Sequence, residues 1–119
     1  MQTQCRIARH QLPYYLKVFN RFTDKPIGNI GNVSHDGLML ISQLPMLVNA
    51  RFDMRLKIPG QDGQMHHIDF YATCQWCRED VSPGSYDSGF ALVAAPAQYR
   101  ELVDVLRHYF SFRTLSASV

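Results

Sequence analysis

Residues 51–58 alternate without a break: Phe52, Met54, Leu56 and Ile58 fall on one side of an extended chain, and Arg51, Asp53, Arg55 and Lys57 on the other. Successive side chains of a strand point to opposite faces, so the pattern specifies a half-buried antiparallel strand. Pro59-Gly60 ends it, and Asp62-Gly63 carries the chain through a turn. Residues 66–78 alternate again, with Ile68, Phe70, Ala72, Cys74 and Trp76 on one face. The loop Ser82-Pro83-Gly84-Ser85 then leads into a strand around 89–93. Earlier strands are expected over 14–20 and 26–33, joined by the turn Thr23-Asp24-Lys25, and another over 38–42. Six short strands separated by turn signals predict a mainly β fold, a small closed six-stranded antiparallel β-barrel that leaves no long edge exposed.

Pro96 suits the first turn of a helix. Beyond it Tyr99, Leu102, Val103, Leu106 and Phe110 recur at spacings of three and four, with Arg100, Glu101, Asp104 and Arg107 elsewhere on the wheel. The expected organisation is therefore a single domain: an arm over 1–11, a barrel over 12–95, a C-terminal α-helix over 96–111 and a tail over 112–119. A chain of 119 residues is long enough to bury roughly 65% of its unfolded surface. Repeats and low-complexity tracts are absent from the sequence.

No apolar run approaches the roughly 18 residues of a membrane span, and no basic-apolar-small leader is present, which predicts a cytoplasmic protein without a membrane association. Cys5, Cys74 and Cys77 are an odd number and do not suggest a disulfide framework. A net charge of +2 is too small to argue for general nucleic-acid binding, and no DNA or RNA partner is expected. A single-strand-binding barrel would also need several exposed aromatics on a basic face. The charge is unevenly placed, however. Arg6, Arg9, Lys17, Arg21 and Lys25 precede residue 30 with only Asp24 opposing them; the last three read as a solvated basic surface.

Two short stretches carry the chemistry. Arg6 and Arg9 offer forked, permanently charged donors suited to phosphate oxygens and guanine edges. Asn32-Val33-Ser34-His35-Asp36-Gly37 adds small polar groups, and its glycine lets a ligand approach the backbone. Together they suggest a receptor for an anionic nucleotide.

These residues, the barrel pattern and the Trp76 and Gly89-Phe90 strands in their order resemble the PilZ domain, a bacterial receptor module for cyclic di-GMP. The resemblance covers nearly the whole chain. Its second motif, Asp/Asn-x-Ser-x-x-Gly, is matched in full by Asn32, Ser34 and Gly37. Its first, Arg-x-x-x-Arg, is matched at Arg9, with Cys5 standing where the other arginine belongs and Arg6 at the adjacent position that many members also fill with arginine. The resemblance implies that Arg6 and Arg9 clamp phosphates and guanines, that Asn32 meets a guanine edge, that Ser34 donates to a phosphate, that Gly37 keeps the turn open, and that Trp76 stands beside the ligand. It implies cyclic di-GMP as ligand, no cofactor, and a flexible arm ordered by binding. The partner regulated in trans would be a kinase, a methyltransferase, or flagellar, pilus or polysaccharide machinery. One missing charge-assisted contact, about 1.5–3 kcal/mol, would weaken binding roughly 10- to 150-fold. The alternative is a degenerate member that has lost the ligand and serves only as a protein adaptor.

Other chemistry has less support. Trp76 shares its alternating face with Ile68, Phe70 and Ala72, which reads as core packing. Cys74 and Cys77 lie three apart, so on a regular strand their thiols point to opposite faces and do not converge on a metal or form a catalytic pair. Ser34, His35 and Asp36 are consecutive and cannot align as a nucleophilic relay. The five histidines show no ligand spacing, and no enzyme activity is expected.

Overall fold

The computed structural model describes residues 17–59 and 62–106. Six strands follow one another: β1 (Lys17–Asn20), β2 (Pro26–Ser34), β3 (Gly37–Ser42), β4 (Arg51–Pro59), β5 (Met65–Glu79) and β6 (Tyr86–Val93). A helix, α1, occupies 97–106. The strands close into a barrel in the order β1-β2-β3-β6-β5-β4, every pair antiparallel. The fold class read from the alternation is thus observed. Residues 1–16 and 107–119 lie outside the described residues, and with them Cys5, Arg6, Arg9, Phe110, the expected arm and the tail.

Because neighbouring strands alternate in direction, the loops after β1, β3 and β5 gather at one end of the barrel, its mouth. The β2–β3 turn and the β4–β5 connection lie at the other end, which α1 covers. β3 and β4 stand opposite each other in the ring of strands, so residues 43–50 must cross the mouth to join them. Met46 of that crossing packs against the core, and the crossing is tied down where the Asn49 amide donates to the Cys74 carbonyl at 2.7 Å.

The core follows the alternation. Val18, Leu40, Met54, Leu56, Ala72 and Cys74 are fully buried, joined from α1 by Tyr99, Val103 and Leu106. Each such aliphatic side chain contributes roughly 1.5–3 kcal/mol by leaving water. Pro96 caps α1 one position before its first turn, its carbonyl accepting the amides of Tyr99 and Arg100 at 3.0 and 3.2 Å. The chain reaches it through Ala94, which holds a left-handed φ of 52°.

The outer side of β4 is also as the pattern implies, but its charges are paired rather than merely solvated. Arg55 stands opposite Asp69 in the β4–β5 register and donates to both its oxygens at 2.7 and 3.0 Å. Lys57 reaches Asp24 in the β1–β2 turn at 2.8 Å, with its ammonium 4.2 Å from the centre of the Phe19 ring.

Two expectations fail at one place in β5. Ile68, Phe70, Ala72 and Cys74 are buried in turn, but Trp76 is 39% exposed. Cys74 pairs with Phe90 while Trp76 pairs with the next residue, Gly89, so Gln75 is the extra residue of a β-bulge. A bulge reverses the facing of the strand residues beyond it. Trp76 is therefore turned out of the core face on which simple alternation places it. The same reversal brings Cys77 opposite buried Ser88, on the inner side that Cys74 also faces. The opposite-face argument for the two thiols does not hold across this bulge. Cys77 Sγ instead accepts the Met46 amide at 3.3 Å, and Cys74 donates to the Trp76 carbonyl at 3.4 Å. Burial, with a smaller contribution from Cys77, pushes the Cys74 thiol above its ordinary pKa. No cluster of three or more His, Cys, Asp or Glu that could hold a metal ion occurs among the described residues.

Candidate functional site

β2 carries a second bulge. Ile30 pairs with Leu40 and Asn32 with the adjacent Met39, leaving Gly31 as the extra residue. Ile30 and Val33 are buried although three positions apart, and Asn32 between them is exposed. On an unbroken strand Asn32 would share the inner face with Ile30; the bulge turns it outward.

The two bulges complete a single row across four strands. Asn32 on β2 stands opposite Met39 on β3, Met39 opposite Gly89 on β6, and Gly89 opposite Trp76 on β5. Directly paired residues of an antiparallel sheet share a face, so all four belong to the outer wall. A polar amide closes one end and an indole the other. Between them Gly89 has no side chain, and a Cβ there would run into the Trp76 indole. The Arg78 guanidinium lies 5.0 Å from the centre of the Trp76 ring, within cation–π range.

An open pocket of about 240 Å³ follows this row, and Asn32, Ser34, Gly37 and Trp76 all line it. The four expected site residues on β2, β3 and β5 are therefore brought together. Gln75, Met39 and Gly89 also line the pocket and were not among the expected site residues. The lone glycine in the middle of β6 was the available signal, since such a glycine often marks a bulge or a close approach. Arg6 and Arg9 lie outside the described residues.

Each group is presented in a definite way. Asn32 Oδ1 accepts the Val33 amide at 2.9 Å, which fixes the side chain and leaves its NH₂ donors and one carbonyl lone pair for a ligand. The Ser34 hydroxyl has a long contact of 3.5 Å to the Gly37 carbonyl and can turn toward an acceptor at little cost. Gly37 has a packing reason for being glycine: a Cβ there would stand 2.7 Å from the Phe90 carbonyl oxygen across β3 and β6.

The β2–β3 turn that bears this motif is held to α1 at three points. Tyr99 donates its hydroxyl to the Gly37 carbonyl at 2.8 Å. Arg100 donates to Asp36 at 2.9 Å, and His35 Nε2 meets Asp104 at 2.7 Å. Ser34, His35 and Asp36 thus address different partners, as their consecutive positions imply. Burial, reinforced by the charge of Asp36, pushes the Tyr99 hydroxyl well above the ordinary tyrosine pKa, so it remains a donor throughout the neutral range.

The fold and site define a class of protein, a small closed β-barrel with an open pocket on its outer wall and a helix fastened to its polar turn. A sequence model of the PilZ domain matches residues 5–108, and the chain belongs to that family. PilZ domains are regulatory and adaptor modules linked to cyclic di-GMP. Among solved structures the chain is similar to the inhibitor of motility MotI/DgrA of Bacillus subtilis, with a TM-score of 0.56 and 12% identity. The likeness covers 80% of this chain and 46% of that one, and it concerns the fold. A comparison with curated proteins gave no match. No helix among the described residues is long and apolar enough to cross a membrane.

Proposed function

We propose that this chain is a cyclic di-GMP receptor that regulates a partner protein in trans and has no enzymatic activity of its own. The observation that carries the reading is the row Asn32–Met39–Gly89–Trp76, which sets hydrogen-bonding groups and an aromatic ring at opposite ends of one open pocket. In this reading Trp76 packs against a guanine, Asn32 meets a guanine edge, and Ser34 turns its hydroxyl to a phosphate. Arg6 and Arg9 supply charges that the dianionic ligand requires and that none of the described residues lining the pocket carries. Their docking on the wall would create the surface that a partner in the cytoplasm reads, a signalling enzyme or part of a motility or polysaccharide system. Ligand binding then shifts the chain between two states that the partner distinguishes.

Cys5, in place of an arginine, favours a second reading in which the domain has lost the nucleotide and acts only as an adaptor. Calorimetric titration with cyclic di-GMP separates the two. The receptor reading expects micromolar or tighter binding by the native chain, lost in Arg9→Ala and strengthened in Cys5→Arg. No heat from the native chain, with binding gained by Cys5→Arg, would establish the adaptor.

A further inference from the structure

Five of the nine large hydrophobic side chains left exposed among the described residues sit on the three loops of the barrel mouth: Phe22, Leu44, Leu47, Val48 and Val81. Singly exposed apolar residues need no explanation, but a concentration of them at one end marks an interaction surface. Leu44 and Leu47 are each 73% exposed on the crossing between β3 and β4, and Val81 is 95% exposed at the tip of the β5–β6 hairpin. They are not on slack loops. Besides the bonds from Asn49 and Met46, the Ser42 hydroxyl donates to the Leu44 carbonyl at 2.7 Å and the Ala50 amide to that of Leu47 at 3.2 Å. The β1–β2 turn is fixed by Asn20 Oδ1, which accepts the amides of Phe22 and Thr23 at 2.8 and 3.0 Å. An apolar surface presented by ordered loops loses little entropy on docking.

The charges around it are arranged in opposition. One rim, the β1–β2 turn, carries Arg21 and Lys25 around Asp24. Arg21 lies 3.6 Å from Asp69, and Asp24 is engaged by Lys57 and Arg55, so the cations of this rim, Arg21, Lys25, Lys57 and Arg55, outnumber its two carboxylates. The other rim, the β5–β6 hairpin, carries Glu79, Asp80 and Asp87 against Arg78. In the strand order β1-β2-β3-β6-β5-β4 these two hairpins occupy opposite sides of the ring. The mouth therefore runs from a basic rim, over the apolar crossing, to an acidic rim. A two-fold rotation about the crossing sets the basic rim of one copy on the acidic rim of the other and apolar crossing on apolar crossing. Such self-complementarity is what an isologous interface requires.

We infer that the mouth is the interface of a homodimer, its occupant a second copy of this chain. The interface lies at the end of the barrel away from α1 and the β2–β3 turn, and does not depend on the nucleotide.

Sedimentation of the purified chain across a concentration series tests it, beside Leu47→Glu, Glu79→Lys and the double variant Lys25→Glu/Glu79→Lys. All three positions are exposed, so the variants keep the fold, which thermal melting checks. The expected result is a reversible monomer–dimer equilibrium whose dissociation constant rises about tenfold or more in Leu47→Glu. Glu79→Lys weakens the dimer and the double exchange restores it. A native chain that stays monomeric, or a dimer indifferent to Leu47→Glu, overturns the inference. A double exchange that fails to restore association overturns the pairing of the two rims.

Discussion

Asn32 and Trp76 stand at the two ends of one cross-strand row, and each faces outward because a β-bulge lies beside it in its strand. One extra residue in β2 and one in β5 convert two positions of the inner face into positions of the outer wall. Bulges cost ladder hydrogen bonds and occur where a side chain must be re-aimed.

The tolerance of this row is smallest at Gly89, where any side chain meets the indole. Gly89→Ala is expected to leave the barrel folded and to move Trp76. Trp76 is the chain's one tryptophan, so its fluorescence reports the displacement alone. On the proposed receptor reading, loss of a single stacking contact, about 1–3 kcal/mol, would weaken cyclic di-GMP binding roughly 5- to 150-fold. Unchanged emission and affinity would show that the ring does not rest on Gly89 in solution.

Tyr99→Phe removes a buried hydroxyl whose only change is the lost bond to the Gly37 carbonyl. The expected cost is about 1–1.5 kcal/mol, a fall in Tm of roughly 4–8 °C for each kcal/mol in a domain of this size. The hydroxyl's pKa is raised in the fold, so its contribution is complete below the unfolded value near 10. As pH rises above that value the unfolded chain ionises first, and native stability falls. Melts of both proteins between pH 7 and pH 11 should converge at the alkaline end.

Asp69 has the opposite sign. The Arg55 hydrogen bond holds its carboxyl below the usual range, against the opposing effect of burial. Its contribution is therefore present above the unfolded value near 3.9 and lost as pH falls through the lower folded value. Asp69→Asn should be destabilised by about 1–2 kcal/mol at neutral pH, with the difference from the native chain vanishing in strong acid. Urea midpoints measured from pH 7 to pH 2 check both the size and the direction.

Ala94 holds a left-handed backbone at the junction of β6 and α1, where a Cβ is unfavourable. Ala94→Gly is expected to stabilise the protein by about 0.5–1 kcal/mol, glycine's greater freedom when unfolded offsetting part of the relief. A lowered Tm would mean that the junction relaxes out of this conformation in solution.

The strands themselves were legible because their apolar residues repeat every second position, cleanly in β4 and as far as Cys74 in β5. The reading failed where the period slipped. Trp76 continues the alternation on paper, and nothing at Gln75 marks an extra residue; only Gly89, on another strand, hints at what must fit there. The motif Asn32-x-Ser34-x-x-Gly37 singled out residues that line the pocket, but the fastening of its turn to Arg100 and Asp104 joins residues more than sixty positions apart, beyond the reach of local pattern. Gly37 was legible as a glycine with a purpose, while its contact with the Phe90 carbonyl depends on how β3 meets β6.

Among the described residues β1 meets β4 through Phe19, opposite Arg55, and Asn20, opposite Met54. At that join Lys57 and Arg55 of β4 both reach Asp24 of the β1–β2 turn. Lys57 and Arg55 expose only 17% and 21% of their side chains, so dissolved salt, which screens open charges over a Debye length of about 8 Å at physiological ionic strength, weakens these partly buried pairs much less. Concentrated salt should therefore leave this join shut, and the cylinder should open only when its hydrophobic interior gives way.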